Sequence, residues 1–359
     1  MALLEYLNRT VPDLVKNRIP SFFAEDPLLN ALAKNNRVDR SGGSYVKLYR
    51  TKSGHSDFTR IDSSNITVPL VKKDTFSDLK GDWGKLIKPI IIPNVDIDRA
   101  PTPAEKKKLT QDVTEAAMQS GKNQLCRQLY MGDESILDVV GTLNGVKTGL
   151  RSVGLENGAL FFDTPTNQAA AGVTYLNETR VYDSVNDENN WYNQHVRNTA
   201  IGTDFIDTAE EIKAIADTYA EEGEISLGIV SIADLVKIGK EARSYPGGAG
   251  RAAIVYTPED IEKGRIHKTV EVINGVHYHA NRWMTPARLR TVANPLNNAA
   301  FLLNPKGIQL WVNGGHYFKT RKFHDGLETS NHDALISFIS LEVQFAVINL
   351  LAQGCTSSN

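Results

Sequence analysis

The sequence predicts an α+β fold in which a mixed α/β body carries an N-terminal arm, an extended β-hairpin loop and one long helix. Isolated apolar clusters occupy residues 1–41, and a long polar stretch of strand-like character then runs to about Pro93. A capped helical pattern follows from Pro103 to about Leu129. A solitary arm or hairpin cannot bury its own apolar face, so the first hypothesis is a subunit of an assembly.

Composition is that of an ordinary soluble globular protein. The chain has 359 residues, of which 41% are hydrophobic and 23% are charged, enough for one elaborate domain or two to three modules. The net charge of −2 excludes a chain that grips nucleic acid through bulk positive charge. Cys126 and Cys355 form no C-x-x-C pair, so neither a disulfide framework nor a zinc knuckle is expected. No secretory signal or membrane span is predicted.

The arm, residues 1–41, supports two interpretations. Apolar residues recur at roughly helical spacing, with Pro12 as a break: Leu3, Leu4, Leu7, Leu14 and Val15. They predict either a short amphipathic helix on the core of the same subunit or an arm that docks on a neighbouring subunit. In the second interpretation four apolar side chains anchor the arm, because such side chains dominate interface energetics. These anchors are Phe22, Phe23, Leu28 and Leu29.

The extended loop, residues 42–99, is predicted to be a long hairpin. Tyr45–Arg50 forms one extended run, a polar turn cluster follows at residues 51–57, and Ile66–Val71 forms the second run. The edges of a solitary hairpin would be exposed, so it needs a surface to lie on.

The long helix has a strong start signal. Thr102 can cap it, Pro103 suits the first helical position and Glu105 can complete a capping box. A helix over residues 103–129 would be about 40 Å long, enough to span a small domain.

The body, residues 133–300, is predicted to be mixed α/β. Short helical stretches are expected at residues 135–140 and 146–153, and a clear helix over Thr208–Glu222. Further predicted elements are a strand at residues 225–230, a helix from about 231 to Ala242, a strand at residues 252–256 and a hairpin at residues 270–280 around Asn274-Gly275. Near the end, residues 339–347 alternate as in a half-buried strand that would pack under the long helix.

Candidate chemistry is sparse. His277 and His279 point to one face of a strand, but the hairpin supplies no third metal ligand, so a polar strand face is favoured over a metal site. The glycine-rich segment 247–250 lacks the spacing of a phosphate loop, and no nucleophile elbow is present. We therefore predict no catalytic, cofactor-binding or metal site and a protein that is not an enzyme. A soluble α/β metalloenzyme using the two histidines is the alternative from a different class.

The order of the segments resembles that of tailed-bacteriophage major capsid (coat) proteins with the Hong Kong 97 phage fold. The similarity covers nearly the whole chain, through weak local motifs whose order is the informative part. The motifs are Asp26–Leu32 followed by Gly42-Gly43, Gly149–Val153 after the long helix, the strand and helix of residues 225–245, and Asn274-Gly275-Val276 with the later Pro286.

The resemblance implies a domain plan. Residues 1–41 would be the arm, 42–99 the extended loop, 100–132 the spine helix of a peripheral domain, 133–300 the axial domain, and 301–359 the peripheral-domain strands and C-terminus. The loop would lie over an adjacent subunit, with Tyr45, Tyr49, Ile66 and Val68 as interface candidates beside the four arm anchors. Hinges that let subunits adapt are expected at Gly42, Gly43 and Gly81.

The resemblance also implies a function. The chain would be a structural major capsid protein whose pentamers and hexamers form an icosahedral head around viral double-stranded DNA, without sequence-specific binding. Further partners would be portal, scaffolding or decoration proteins, with no cofactor and no membrane. The location would be the virion capsid, assembled in the host cytoplasm. Within the same fold, an encapsulin-type bacterial compartment shell that houses cargo protein is the alternative.

Overall fold

The computed structural model describes residues 3–24, 26–51, 76–100, 102–131, 174–175, 178–179, 195–198, 201–220, 222–244, 252–254, 271–281, 284, 297–326, 333–349 and 352–358. The predicted helical stretches at 135–140 and 146–153 lie outside these residues, as do the interface candidates Ile66 and Val68.

The described residues contain six α-helices: α1 (Leu3–Ala24), α2 (Pro27–Lys34), α3 (Asn94–Arg99), α4 (Pro103–Met131), α5 (Phe205–Thr218) and α6 (Ile232–Ser244). The long helix α4 begins as predicted. The Glu105 N–H donates to Thr102 Oγ1 at 3.3 Å, and the Thr102 N–H donates to Glu105 Oε2 at 3.0 Å. This reciprocal pair is the predicted capping box, and the helix extends to Met131, slightly beyond the predicted Leu129.

A six-stranded sheet comprises β1 (Val38–Ser41), β4 (Gly84–Pro93), β13 (Ile308–Asn313), β14 (Lys319–Thr320), β15 (His324–Asp325) and β16 (Ala334–Val347). β16 pairs antiparallel with β4 along residues 334–343 and with β13 along residues 343–347. The predicted strand is therefore present, but it is buried on both faces rather than half-buried. Its polar Gln344 is 0% exposed because further structure covers the second face.

A seven-stranded sheet comprises β7 (His195–Asn198), β8 (Leu227–Val230), β9 (Ala252–Ile254), β10 (Glu271–Ile273), β11 (Val276–Ala280), β12 (Asn297–Leu303) and β17 (Gly354–Ser358), in the order β7-β17-β12-β8-β11-β10-β9. The predicted hairpin between β10 and β11 is confirmed. Val272 pairs with His277, and Asn274 and Gly275 form its two-residue turn with φ of 51° and 80°.

The predicted boundary between residues 300 and 301 does not separate the two sheets. β12 crosses it and pairs with β8 through residues 300–303, while β17 returns from the six-stranded sheet to pair with β12. Residues 301–303 and 354–358 therefore belong to the sheet of the body rather than to the peripheral strands. Two short two-stranded sheets complete the described strands: β2 (Tyr45–Thr51) with β3 (Phe76–Asp82), and β5 (Thr174–Tyr175) with β6 (Glu178–Thr179).

The hairpin of the extended loop pairs differently from the prediction. β2 pairs with β3 from Tyr45↔Asp82 to Thr51↔Phe76, so the strand opposite β2 is Phe76–Asp82 and not Ile66–Val71. At the base of the hairpin, Val46 is buried opposite Gly81. The later part of the predicted loop contains β4, which belongs to the six-stranded sheet and not to the hairpin.

The arm is part of the core of its own subunit. α1 continues through Pro12 and Pro20 instead of breaking at Pro12. Leu7, Val11 and Val15 recur at four-residue intervals and are each 1% exposed, and this burial offsets the backbone hydrogen bonds that proline removes.

The four predicted arm anchors are buried in the same core: Phe22, Phe23, Leu28 and Leu29. Each is at most 9% exposed, and the rings of Phe22 and Phe318 meet edge to face at 4.8 Å between centroids. In this conformation these side chains are not accessible to a neighbouring subunit. The structure therefore corrects the interpretation of the arm as a segment that docks elsewhere and favours the helix packed on its own subunit.

The two sheets share their apolar interior. Side chains from α1, α2 and α4 pack with the six-stranded sheet and with one face of β8 and β12, where Ile229 and Phe301 are 0% exposed. The opposite face of the body sheet, which includes Tyr278, packs against α5 and α6. One face of the body sheet is thus covered by α5 and α6, and the opposite face by the arm, the long helix and the six-stranded sheet.

Gly228 provides the most stringent packing position in the body sheet. A Cβ atom on Gly228 would overlap the ring of Tyr278 on the adjacent strand, whereas a Cβ on Gly121 in α4 would meet nothing within 4 Å. We expect Gly228→Ala to destabilise the unassembled subunit by about 1–3 kcal/mol. Gly121→Ala, the matched control, should stabilise it by about 0.5–1 kcal/mol. Urea unfolding measures both, and equal stability of Gly228→Ala and the wild type would contradict this packing.

Candidate functional site: the arm junction and the assembly surfaces

A buried carboxylate connects the arm to the rest of the subunit. Asp26 precedes Pro27, an arrangement that favours a helix start, and its Oδ1 accepts the N–H groups of Leu28 and Leu29 at 3.0 and 3.2 Å. These bonds cap α2 and fix the direction in which the chain leaves α1.

Two further side chains converge on the same carboxylate from distant parts of the sequence. The hydroxyl of Tyr130, at the end of α4, donates to Asp26 Oδ1 at 2.8 Å. Asn281, directly after β11, donates from Nδ2 to Asp26 Oδ2 at 3.2 Å, and its backbone N–H donates to the Val230 carbonyl at 2.8 Å. We call Asp26, Tyr130 and Asn281 the arm junction, since they tie the arm, the long helix and the body sheet together.

Burial dominates the electrostatics of the arm junction. Desolvation raises the pKa of Asp26 above its ordinary value of 3.8, against the opposing effect of the donated hydrogen bonds. Desolvation, reinforced by the nearby Asp26 charge, raises the pKa of Tyr130 well above its usual range. The phenol therefore stays protonated and remains a hydrogen-bond donor at physiological pH.

The glycine pair at the entry to the extended loop lies where a hinge is predicted. Gly43 has a φ of +110°, a conformation that L side chains rarely adopt, and its carbonyl accepts the Trp83 indole N–H at 2.9 Å. Gly42 is surrounded by open space, so that a Cβ atom added there would meet nothing within 4 Å. Gly81 differs from these two glycines. It lies within strand β3, where it pairs with Val46 of β2, and not in a connecting segment.

The base of the extended loop is fixed to the six-stranded sheet. Val46, Trp311 and Ala346 form a small buried cluster, against which Trp83 and Ile348 pack. This cluster covers Ala346 on the face of β16 opposite the one that packs in the main core.

Several large apolar side chains remain exposed on the subunit. Six of the described residues have this property, with exposed fractions from 45% to 61%: Tyr45, Ile87, Ile91, Val95, Ile232 and Val236. Ile87 and Ile91 share one face of β4, and Ile232 and Val236 lie one turn apart on α6. Clustered apolar exposure of this kind marks interaction surfaces.

The predicted interface candidates fall into three groups. Tyr45 is 45% exposed at the start of the hairpin, where a neighbour could contact it. The arm anchors are interior, as described above. The side chain of Tyr49 lies outside the described residues, together with Ile66 and Val68.

The two histidines of β11 lie on one strand face, as predicted from their spacing, with His277 exposed. In the described part of the chain, no three His, Cys, Asp or Glu side chains lie close enough together to hold a metal ion. None of the helices in those ranges combines the length and apolar character that a membrane span requires.

The arm junction was missed by sequence reasoning. The Asp26-Pro27 pair carries a local capping signal that could have identified Asp26, but Tyr130 and Asn281 carry none. Their role depends on long-range packing, because they lie 104 and 255 residues from Asp26 in the chain.

Comparison with known proteins identifies the fold. No protein-family model matches the sequence, and no curated protein sequence matches it. Among solved structures, the Cyanophage A-1(L) capsid is similar at a TM-score of 0.56 and 13% identity, covering 94% of each chain. The capsid of the native GTA particle is similar at 0.50 and 10%, covering 91% of this chain and 89% of that one. The holo-SrpI encapsulin of Synechococcus elongatus PCC 7942 is similar at 0.50 and 12%, covering 92% and 87%.

The chain therefore has the Hong Kong 97-like capsid fold, and the α+β class predicted from the order of its segments is confirmed. At these identities the similarity establishes the fold and leaves function to be argued from the surfaces of the subunit.

Removal of the Tyr130 hydroxyl tests the arm junction. Tyr130→Phe leaves the buried Asp26 carboxylate with one donor fewer, and we expect a loss of about 1–3 kcal/mol in the free energy of unfolding. Tyr317→Phe is the matched control, since the Tyr317 ring, half-buried under Arg40, contacts the guanidinium through its face. Urea unfolding of the two variants should differ clearly, and equal stabilities would contradict the role of the hydroxyl.

The pH dependence of stability tests the raised pKa of Asp26. Between 3.8 and the higher folded-state pKa, the folded chain binds more protons at Asp26 than the unfolded chain does. The contribution of Asp26 to stability is therefore full below pH 3.8 and decreases as pH rises through this window. We expect the stability of the wild type relative to Asp26→Asn to improve as the pH falls from 7 towards 4.

Glu105 provides a control in which stability changes with pH in the opposite direction. Its hydrogen bonds to Thr102 lower the pKa of its carboxyl group, so its contribution is lost as pH falls through that lower range. The stability of the wild type relative to Glu105→Gln should therefore decline on acidification. A pH-independent difference between the wild type and Asp26→Asn would contradict the assignment for Asp26.

Proposed function

We propose that this chain is a non-enzymatic shell subunit, a phage-type major capsid protein that assembles with copies of itself. The observation that carries the proposal is the similarity to the Cyanophage A-1(L) capsid over 94% of each chain. Nearly the whole length of both chains takes part in this similarity. Exposed apolar side chains on β4 and α6 supply surfaces that a shell would cover.

The subunits would form pentamers and hexamers around the body, residues 133–300, and close into an icosahedral head around double-stranded DNA. A net charge of −2 is consistent with an enclosing wall that does not hold the genome tightly through bulk positive charge, and we propose no sequence-specific contact with the DNA. The extended loop would lie over an adjacent subunit, with Tyr45 as its exposed contact near the base. Further proposed partners are portal, scaffolding or decoration proteins, and the proposed location is the virion capsid after assembly in the host cytoplasm.

Conformational variation between shell positions would arise at the glycine pair. Subunits in pentamers and hexamers need different loop directions, and Gly43 already has a backbone conformation that other residues rarely adopt. Because Trp83 holds the Gly43 carbonyl, movement of the loop would pivot about this bond.

A second candidate function is a protein-filled compartment shell. The similarity to the holo-SrpI encapsulin supports it, since its TM-score of 0.50 equals that of the GTA capsid. In both functions the subunit is a shell component. They differ in the contents of the particle: nucleic acid in the first and cargo protein in the second.

Particle imaging tests the proposal directly. We expect purified protein, or protein co-expressed with its neighbouring genes, to form closed shells of uniform size in negative-stain electron microscopy. A population that remains monomeric under all conditions of concentration, salt and pH would contradict a shell function. Nuclease-protected DNA in particles from the native source would support the capsid, whereas one co-purifying cargo protein without DNA would support the compartment.

A further inference from the structure

Helix α6 presents an apolar and basic stripe to the outside of the body. Ile232 and Val236 are 61% and 53% exposed, and Lys240 continues the same stripe one turn later. Residues spaced by four lie on one face of a helix. A single exposed apolar residue is ordinary, but two large β-branched side chains on one stripe form a contiguous patch.

Helix α5 presents a stripe of complementary character. Its exposed residues begin with acidic side chains, Asp207, Glu210 and Glu211, and continue with the small Ala214 and Thr218. The first half of the stripe is therefore negative, and the second half is small and only weakly polar. A bulky apolar side chain can approach the helix backbone closely over the second half.

The two stripes match when the helices run antiparallel. Ile232 and Val236 then lie over Thr218 and Ala214, and Lys240 reaches Glu211 and Asp207. The separation of Val236 from Lys240 along the axis is about 6 Å, and that of Ala214 from Glu211 is about 4.5 Å. This difference is well within the reach of a lysine side chain. In a parallel arrangement the lysine would face Thr218 and the apolar residues would face the carboxylates.

Both helices pack on the same side of the body sheet, and one side chain joins them. Glu241 of α6 accepts the N–H groups of Ile206 and Gly202 at 2.9 and 2.8 Å, which fixes the start of α5. α5 contacts β7 and β17, whereas α6 contacts β9, β10 and β11. The two helices also contact each other, but they lie over strands from opposite ends of the seven-stranded sheet, so the two stripes are different patches of one subunit.

We propose that α6 of one copy of this chain packs antiparallel on α5 of the next copy, and that this contact closes the ring of subunits around the body. Two different patches in contact form a heterologous interface, which generates rings when the rotation closes. The proposal rests on the proposed shell function and deepens it by naming the surfaces between adjacent subunits. The occupant of the α6 patch is thus a second copy of the same chain.

Charge reversal tests the contact between copies. Lys240→Glu and Glu211→Lys should each raise the protein concentration required for particle formation by about tenfold or more, because the contact is repeated in every ring. The double variant Lys240→Glu with Glu211→Lys should restore assembly towards the wild-type level. Lys107→Glu, an exposed position on α4, is the matched control and should leave assembly unchanged. Light scattering and sedimentation velocity measure the assembly threshold.

Cross-linking provides a readout that does not depend on assembly thresholds. A tagged chain carrying Ala214→Cys is mixed with an untagged chain carrying Val236→Cys, and the mixture is assembled and oxidised. The native Cys126 and Cys355 are buried, so the expected product is a mixed dimer on a non-reducing gel. The pair Lys107→Cys with Val236→Cys is the control and should give none.

The outcomes separate this contact from the shell function. If the wild type forms shells while both single reversals assemble normally, or the mixed dimer does not form, the α5–α6 contact is overturned and the shell function stands. If the wild type forms no particles under any condition, both the α5–α6 contact and the shell function are contradicted. Circular dichroism of the unassembled variants confirms that the exposed substitutions leave the subunit folded, and the cross-link decides the matter if a charge variant does not fold.

Discussion

Hydrogen bonds to one buried carboxylate connect the parts of the subunit at the point where they meet. Asp26 is 7% exposed and receives hydrogen bonds from the start of α2, from Tyr130 at the end of the long helix and from Asn281 at the end of β11. A buried charge without these donors would be strongly unfavourable. The arm, the long helix and the body sheet must therefore reach their positions together, and each restricts the others.

This junction explains why the arm is interior. With α2 capped by Asp26, the following Leu28 and Leu29 enter the shared core at 0% exposure, and α1 lies along α4, where Arg18 pairs with Glu115. The arm thus contributes to the folding of its own subunit. In the proposed shell, other surfaces would make the contacts between subunits, and the exposed apolar residues of β4 and α6 would be removed from water there.

The base of the extended loop is fixed to the subunit, and the adjacent glycine pair allows the loop to leave it in different directions. Val46, Trp83 and Trp311 anchor the base on the second face of the central strand β16. Immediately before the hairpin, Gly43 occupies a backbone conformation open chiefly to glycine. The proposed shell would need this combination, because the loop would stay attached while its far end meets different neighbours.

The sequence by itself determined the elements that depend on local chemistry. The capping box of Thr102 and Glu105 located the start of the long helix, and Asn274-Gly275 located a hairpin turn, because each signal lies within a few residues. The order of these elements was sufficient to predict the capsid fold.

Only the tertiary structure decided which faces are buried and which strands pair. Phe76–Asp82 pairs with β2 despite its polar composition, α1 continues through two prolines, and β17 returns to the body sheet. Each of these results depends on contacts between residues far apart in the chain, whose free energy outweighs local preference, and for the same reason no local pattern could bring Tyr130 and Asn281 to Asp26.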